Sequence, residues 1–183
     1  MADQYHVAWD LLVELRKEAL ENQKIRAQIV GVKITFVSVG IGLIASNQDK
    51  IPARLFMIPA LAAIFFDFLI ASYSFSSKRI GHYCRHHVEN RIRAACDLPE
   101  SLMLWYEFLG RREARRFAYL SFLGNIGLTV VALVPAVIGL FRPFHPLVSV
   151  LLLEVLVGLF AFDMWSYSIP TAFLAELEKK EKV

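Results

Sequence analysis

LFMIPALAAIFFDFLIASYSFS, residues 55–76, holds one charged side chain, Asp67, in a run of 22 residues. As an α-helix rising about 1.5 Å per residue it reaches roughly 33 Å, enough to cross a hydrocarbon core of ~30 Å. Outward from it, three more stretches have the same character. Ala27–Ser46 precedes it, and Phe117–Phe141 and Leu147–Ile169 follow it. Across all four, the acidic and basic side chains are only Lys33, Asp67, Glu154 and Asp163. A water-soluble helical bundle would interleave charges along each helix, because one face of every helix meets water. The 56% of hydrophobic residues also exceeds the ~45–50% usual in soluble domains. The expected fold class is therefore all-α: an integral membrane protein with four transmembrane helices, arranged as two helical hairpins.

Orientation follows from Lys and Arg, which concentrate in cytoplasmic loops. Of the 20 basic residues, 16 lie in three segments. These are the N-terminal 26 residues, the middle block (Lys78, Arg79, Arg85, Arg91, Arg93, Arg111, Arg112, Arg115, Arg116) and the tail (Lys179, Lys180, Lys182). The short connections hold only Lys50, Arg54 and Arg142. Both termini and the middle block are thus expected in the cytoplasm. The division is a cytoplasmic amphipathic helix (1–26), a first hairpin (27–76), a basic cytoplasmic helical segment (77–116), a second hairpin (117–170) and a cytoplasmic tail (171–183). The polar, mixed-charge start lacks the basic-then-apolar order of a secretory signal, so no cleavage is expected. Neither a Met-Gly start nor a C-terminal Cys motif suggests a lipid anchor. On this topology Cys84 and Cys96 are reduced thiols.

Tyr5, Ala8, Trp9, Leu12, Leu15 and Ala19 form an apolar stripe at helical spacing. With no Pro or Gly before Gly31, this helix is expected to run on into the first span. Its stripe suits oligomerisation or docking, or a place in the headgroup layer with Trp9 as anchor. Ser77–Ala95 is expected to extend the second span. Cys96–Pro99 reads as a break, since Pro fits only the first turn of a following helix. A second helix, Glu100–Arg116, carries Trp105 and Tyr106, which suit a membrane interface or a subunit contact. Pro59 and Pro135 are expected to kink their spans. Ser38, Gly42 and Ser46, and likewise Ala132 and Ala136, offer small faces for close helix packing.

An ionisable residue inside a span costs ~2.5–3.5 kcal/mol near a helix centre, so it is normally turned inward and paired. Lys33 lies ~9 Å from the cytoplasmic edge of its span, Asp163 ~8 Å, and Asp67 and Asn125 ~12–13 Å. These four are expected to share one layer, with Lys33 paired to Asp67 or Asp163. Both a polar layer that orients packing and a conduction or proton path fit such a set. Glu154 stands apart toward the outer side, as a possible pore or proton site.

The middle block is the candidate for binding an anionic partner or lipid headgroups, through Arg79, Arg85, Arg91, Arg93, Arg111, Arg112, Arg115 and Arg116. His82 and His86, four apart on one helical face, are weak metal candidates. A structural zinc site usually needs four ligands, and neither Cys84 nor Cys96 completes one. Arg79 to His86 has a ribonuclease-like spacing that a segment rich in both types produces by chance. No Gly-rich nucleotide loop, nucleophile elbow or Ser-His-Asp set is present, so no catalytic residue and no cofactor is expected.

Tyr5-His6, Leu15-Arg16 and Asn22 before the first span, Arg79-Ile80-Gly81 with Tyr83 and Glu89 after the second, and Trp105-Tyr106-Glu107 together resemble a group of small bacterial four-span membrane proteins. Proteins of that group occur as accessory components of antiviral defence systems, beside RNA-guided or nucleotide-signalled effectors. The resemblance implies an inner-membrane effector that assembles with copies of itself. It would perturb the bilayer or form a pore when a cytoplasmic protein, RNA or nucleotide partner engages it. A small ion or solute channel or transporter subunit, a membrane-bound enzyme using the His82/His86 segment, and a structural scaffold are the alternatives.

Overall fold

The computed structural model describes residues 2–47, 49–99, 104, 112–141, 146–169, 172–173 and 176. Every element among them is helical. Four helical runs, His6–Ser46, Leu55–Ala95, Phe122–Leu140 and Val148–Ser166, are long and apolar enough to cross a membrane.

Helix α1 (Ala2–Ser46) is a single run of 45 residues, about 68 Å long at 1.5 Å per residue. Gly31 lies inside it without breaking it, so the polar start and the first apolar stretch form one rod. A 3₁₀ turn, Ala53–Met57, leads into α2 (Ile58–Tyr83). Pro59 occupies the first turn of α2, where its missing N–H is no loss. The kink expected at Pro59 is therefore replaced by a helix start. α2 passes into a π-helical turn, Cys84–Val88, and then into α3 (Glu89–Ala95). The sequence signalled the helical extension but not the π turn within it.

The break expected at Cys96–Pro99 is formed by Asp97, which has a left-handed φ of 51°, a region where Asp is among the better-tolerated side chains. Behind it, Cys96 N donates to Ile92 O at 3.0 Å and Leu98 N to Arg93 O at 3.0 Å, closing the last turn. The helix expected over Glu100–Arg116, with Trp105, Tyr106 and Arg111, lies outside the described residues up to its last turn, except for Leu104, which is not helical. Helix α4 (Arg112–Leu140) contains Pro135, and α5 (Pro146–Ser166) follows.

As residue numbers rise along α1, their partners fall along α2: Asn22 meets Ser76, Lys33 meets Asp67, and Gly40 meets Pro59. Small residues permit the close approach. Ala60, Ala63, Ala132 and Ala136 are fully buried, and a Cβ on Gly40 would sit 2.7 Å from Pro59 Cγ. Val37, Ala63 and Ala132 form one core cluster; Ala60, Ile64, Ala136, Leu140 and Leu156 form another. The Ala132/Ala136 face thus packs inside the chain. Ser38, Gly42 and Ser46 instead point outward, and Gly42 has open space beside it.

Beyond the apolar core, Ala8 of α1 packs with Val88 and Ile92, joined by Leu11, Leu12 and Leu15. Part of the N-terminal apolar stripe is therefore covered by the chain itself. α5 is the peripheral helix. Of its described residues only Leu156 and Asp163 are buried, seven apart and hence on one face. Leu151, Val155, Val157 and Phe162 on its other faces are exposed.

Candidate functional site

The α1–α2 contact places the one basic residue of the apolar stretches directly against an acid. Lys33 of α1 is completely buried, and its Nζ lies 2.7 Å from Asp67 Oδ1 of α2, whose side chain is also completely buried. The remaining donor capacity of the ammonium goes to α4. Nζ donates to Thr129 Oγ1 at 2.7 Å, to the Asn125 carbonyl at 2.9 Å and to Asn125 Oδ1 at 3.1 Å.

Asp67 collects donors in return. The Asn125 amide donates to its Oδ1 and the Thr129 hydroxyl to its Oδ2. The Tyr167 hydroxyl lies 3.4 Å from Oδ1 and accepts from Asn125 Nδ2 at 3.1 Å. Three helices and the turn after α5 thus share one hydrogen-bonded knot. Such networks are self-consistent only when every member is satisfied. Around Asp67 each donor finds an acceptor and each carboxylate oxygen a donor.

Asp163 of α5 is also fully buried and lies within electrostatic reach of Asp67 and Lys33. Among the described residues neither of its carboxylate oxygens has a hydrogen-bond partner. Aromatic edge contacts bring α5 here: Phe68 with Phe162 at 5.6 Å between ring centroids, and Phe122 with Tyr167 at 4.8 Å. Lys33, Asp67, Asn125 and Asp163, the residues assigned to one layer by depth, are therefore gathered at one place. Of the two acids available, Asp67 takes the ion pair.

Sequence reasoning missed Thr129 and Tyr167. Each lies four residues after a residue it did name, Asn125 and Asp163; Thr129 shares the helix face of Asn125, and Tyr167 sits in the turn just past the end of α5. Their hydroxyls cost little to bury in a span, and nothing marked them out from other Ser, Thr and Tyr residues.

Glu154 does not join this cluster. It lies on the exposed side of α5 near Leu151 and Val155, and among the described residues it forms no salt bridge.

In the basic block Arg79 and Arg91 are exposed, and Arg85 and Arg93 are half-buried. The His82 and His86 rings stack with centroids 4.4 Å apart. Arg85 Nε and Nη2 lie 3.1 and 2.9 Å from His86 Nε2, so this nitrogen accepts from a guanidinium and faces no open site. Among the described residues no three His, Cys, Asp or Glu side chains come together as a metal set. Arg112, Arg115 and Arg116 lie at the start of α4 with side chains outside the described residues; Arg111 and the basic tail also lie outside them.

What the cluster can do chemically is bind and release charge in a closed space; it presents no nucleophile to solvent. Comparison with protein families, with curated proteins and with solved structures yields no match.

Proposed function

We propose that the protein is a non-catalytic effector of a bacterial inner membrane, assembled from several copies, whose membrane-perturbing state is controlled through its basic segment. One observation carries this reading. Lys33 and Asp67 sit on the two helices that run on, without a break in helical structure, beyond the apolar core, and these two meet again there through Ala8, Val88 and Ile92. A ligand that moves the Arg79–Arg93 segment therefore moves the helix bearing Asp67, and the α1 contact couples it to the helix bearing Lys33. The π turn at Cys84–Val88 lies within this Arg79–Arg93 handle on the Lys33–Asp67 clasp, and such turns are frequent at functional sites.

On the positive-inside rule the handle faces the cytoplasm, with both termini there and the spans paired as two hairpins. The exposed Arg79 and Arg91 suit an acidic protein surface, a nucleotide or RNA, or lipid headgroups. A role beside a defence effector follows from the resemblance of the short motifs. The mechanism is separation of the clasp when the handle is pulled, which leaves buried charges unpaired and favours a rearranged or open assembly.

Expression in bacteria with a membrane-potential dye tests this reading. Lys33→Met, Asp67→Asn and Asp163→Asn should each change leakage or toxicity, and Arg79→Glu with Arg91→Glu should uncouple it from any activating partner. Unchanged behaviour in all of them removes the mechanism. The second reading is a small channel or transporter subunit. Exposed Glu154 on the peripheral helix favours it, because identical carboxylates around an assembly axis would line a cation path. Ion flux in partner-free liposomes, lost in Glu154→Leu, would select that reading.

A further inference from the structure

The buried cluster holds one more acid than it has cations. Among the described residues Lys33 is its single cation, and Asp67 and Asp163 are two carboxyl groups, all fully buried. Every donor in the cluster is already committed. The Lys33 ammonium serves Asp67, Thr129 and Asn125. The Asn125 amide serves Asp67 and Tyr167, and the Thr129 hydroxyl serves Asp67. The Tyr167 hydroxyl also points to Asp67. No donor among the described residues is left for Asp163, whose two oxygens are both buried and both unpartnered.

An ionised carboxylate in that position would be a buried charge without a counter-charge of its own, the arrangement that burial penalises most. A neutral carboxylic acid would instead bring its own donor and sit beside an acceptor, the Asp67 carboxylate. The described groups of the cluster fit this assignment. α1 offers Lys33, already paired. α2 offers Asp67, whose Oδ2 accepts only from Thr129 among the described residues and has room for one more donor. Among the described side chains α4 offers the non-titrating Asn125 and Thr129, and the turn after α5 offers the Tyr167 hydroxyl. A metal cation fits poorly, because the Asp67 oxygens it would need already receive ammonium, amide and hydroxyl hydrogens.

We infer that Asp163 is a proton-binding site, holding one proton between itself and Asp67 while the Lys33 clasp is closed. The proton comes from solvent beyond the end of α5, whose last residue, Ser166, is three residues away, roughly 5 Å along the helix. It forms the Asp163 O–H bond and is shared by hydrogen bonding with Asp67. When the clasp opens, Asp163 gains water or the Lys33 ammonium as a partner and gives the proton back. The cluster therefore binds a proton in one state and releases it in the other, whatever the protein's wider role.

Infrared spectroscopy of the full chain in nanodiscs, with the aspartate side-chain carboxyls labelled with ¹³C, tests this inference. At neutral pH the wild type should show an isotope-shifted carbonyl band of a protonated carboxyl group. Asp163→Asn, an amide of the same shape as the neutral acid, should fold and lack that band. Absence of a labelled protonated-acid band in the wild type overturns the inference without need of any variant. So does a band that persists in Asp163→Asn, or one that vanishes when sodium or potassium replaces choline in the buffer, which would assign the site to a metal cation. An Asp163→Asn chain that cannot fold while Asp163→Glu folds also overturns it, because a carboxylate charge would then be what the fold requires.

Discussion

Lys33 anchors the buried cluster. It is a cation with no exposure to solvent, and its three ammonium hydrogens are shared among four acceptors on two helices. Removing one member of a buried pair leaves the other uncompensated, which typically costs ~3–5 kcal/mol, whereas replacing both by apolar residues of similar volume is often near neutral. Lys33→Met alone should therefore lower stability by about that amount, and Lys33→Met with Asp67→Leu should recover most of it. Thermal unfolding in detergent, read as a double-mutant cycle, checks both values. Thr129→Val removes one hydroxyl that donates to a charged acceptor at nearly constant volume, and should cost ~1.5–3 kcal/mol in the same assay. The first two residues of this site were legible in the sequence because charge inside a span is expensive and must find a partner. Thr129 and Tyr167 were not, because a hydroxyl can satisfy itself on its own helix, as Ser74 does by donating to Ile70 O at 2.7 Å.

At the scale of elements, glycines that look alike in sequence separate by what faces them. Gly40 lies against Pro59 at the start of α2, and Gly42 faces open space. A larger side chain at Gly40 must push the two helices apart, at the ~1–3 kcal/mol typical of overpacking. Gly40→Leu should lower the melting temperature accordingly, and Gly42→Leu should leave it nearly unchanged. The small stripe Ser38-Gly42-Ser46 and the small pair Ala132/Ala136 carry the same spacing, yet only the second is buried within the chain. Spacing states that close approach is possible; which helix makes the approach depends on the neighbours. The same distinction explains Pro59 and the π turn. A proline marks either a kink or a start, and only the position of the preceding 3₁₀ turn decides between them. A π turn inserts one residue into a helix without a composition of its own to announce it.

At the scale of the whole molecule, the four apolar runs and the distribution of Lys and Arg set the expected membrane topology. Cys96 is exposed at the end of the helical extension and Cys84 is buried. A membrane-impermeant maleimide applied to intact spheroplasts should therefore leave the chain unlabelled. After permeabilisation it should label Cys96 and spare Cys84, as mass spectrometry of the labelled peptides would show. Labelling of Cys96 before permeabilisation would reverse the assigned orientation.

That four helices are long and apolar enough to cross a membrane, that the first runs on from its polar start, and that the charges within the apolar runs need partners were legible in the sequence alone. They rest on local quantities: apolar run length, helical rise per residue and the cost of charge in a span. Partner choice was decided by tertiary structure. Lys33 had two acids at matching depth, and packing of α1 against α2 and α4 gave it Asp67, with Asn125 and Thr129 filling its remaining bonds. Asp163 was thereby left buried beside them without a donor, and Glu154 was turned outward on α5. Rotation of each helix about its axis sets these outcomes, and side-chain packing between helices, which no single segment encodes, fixes that rotation.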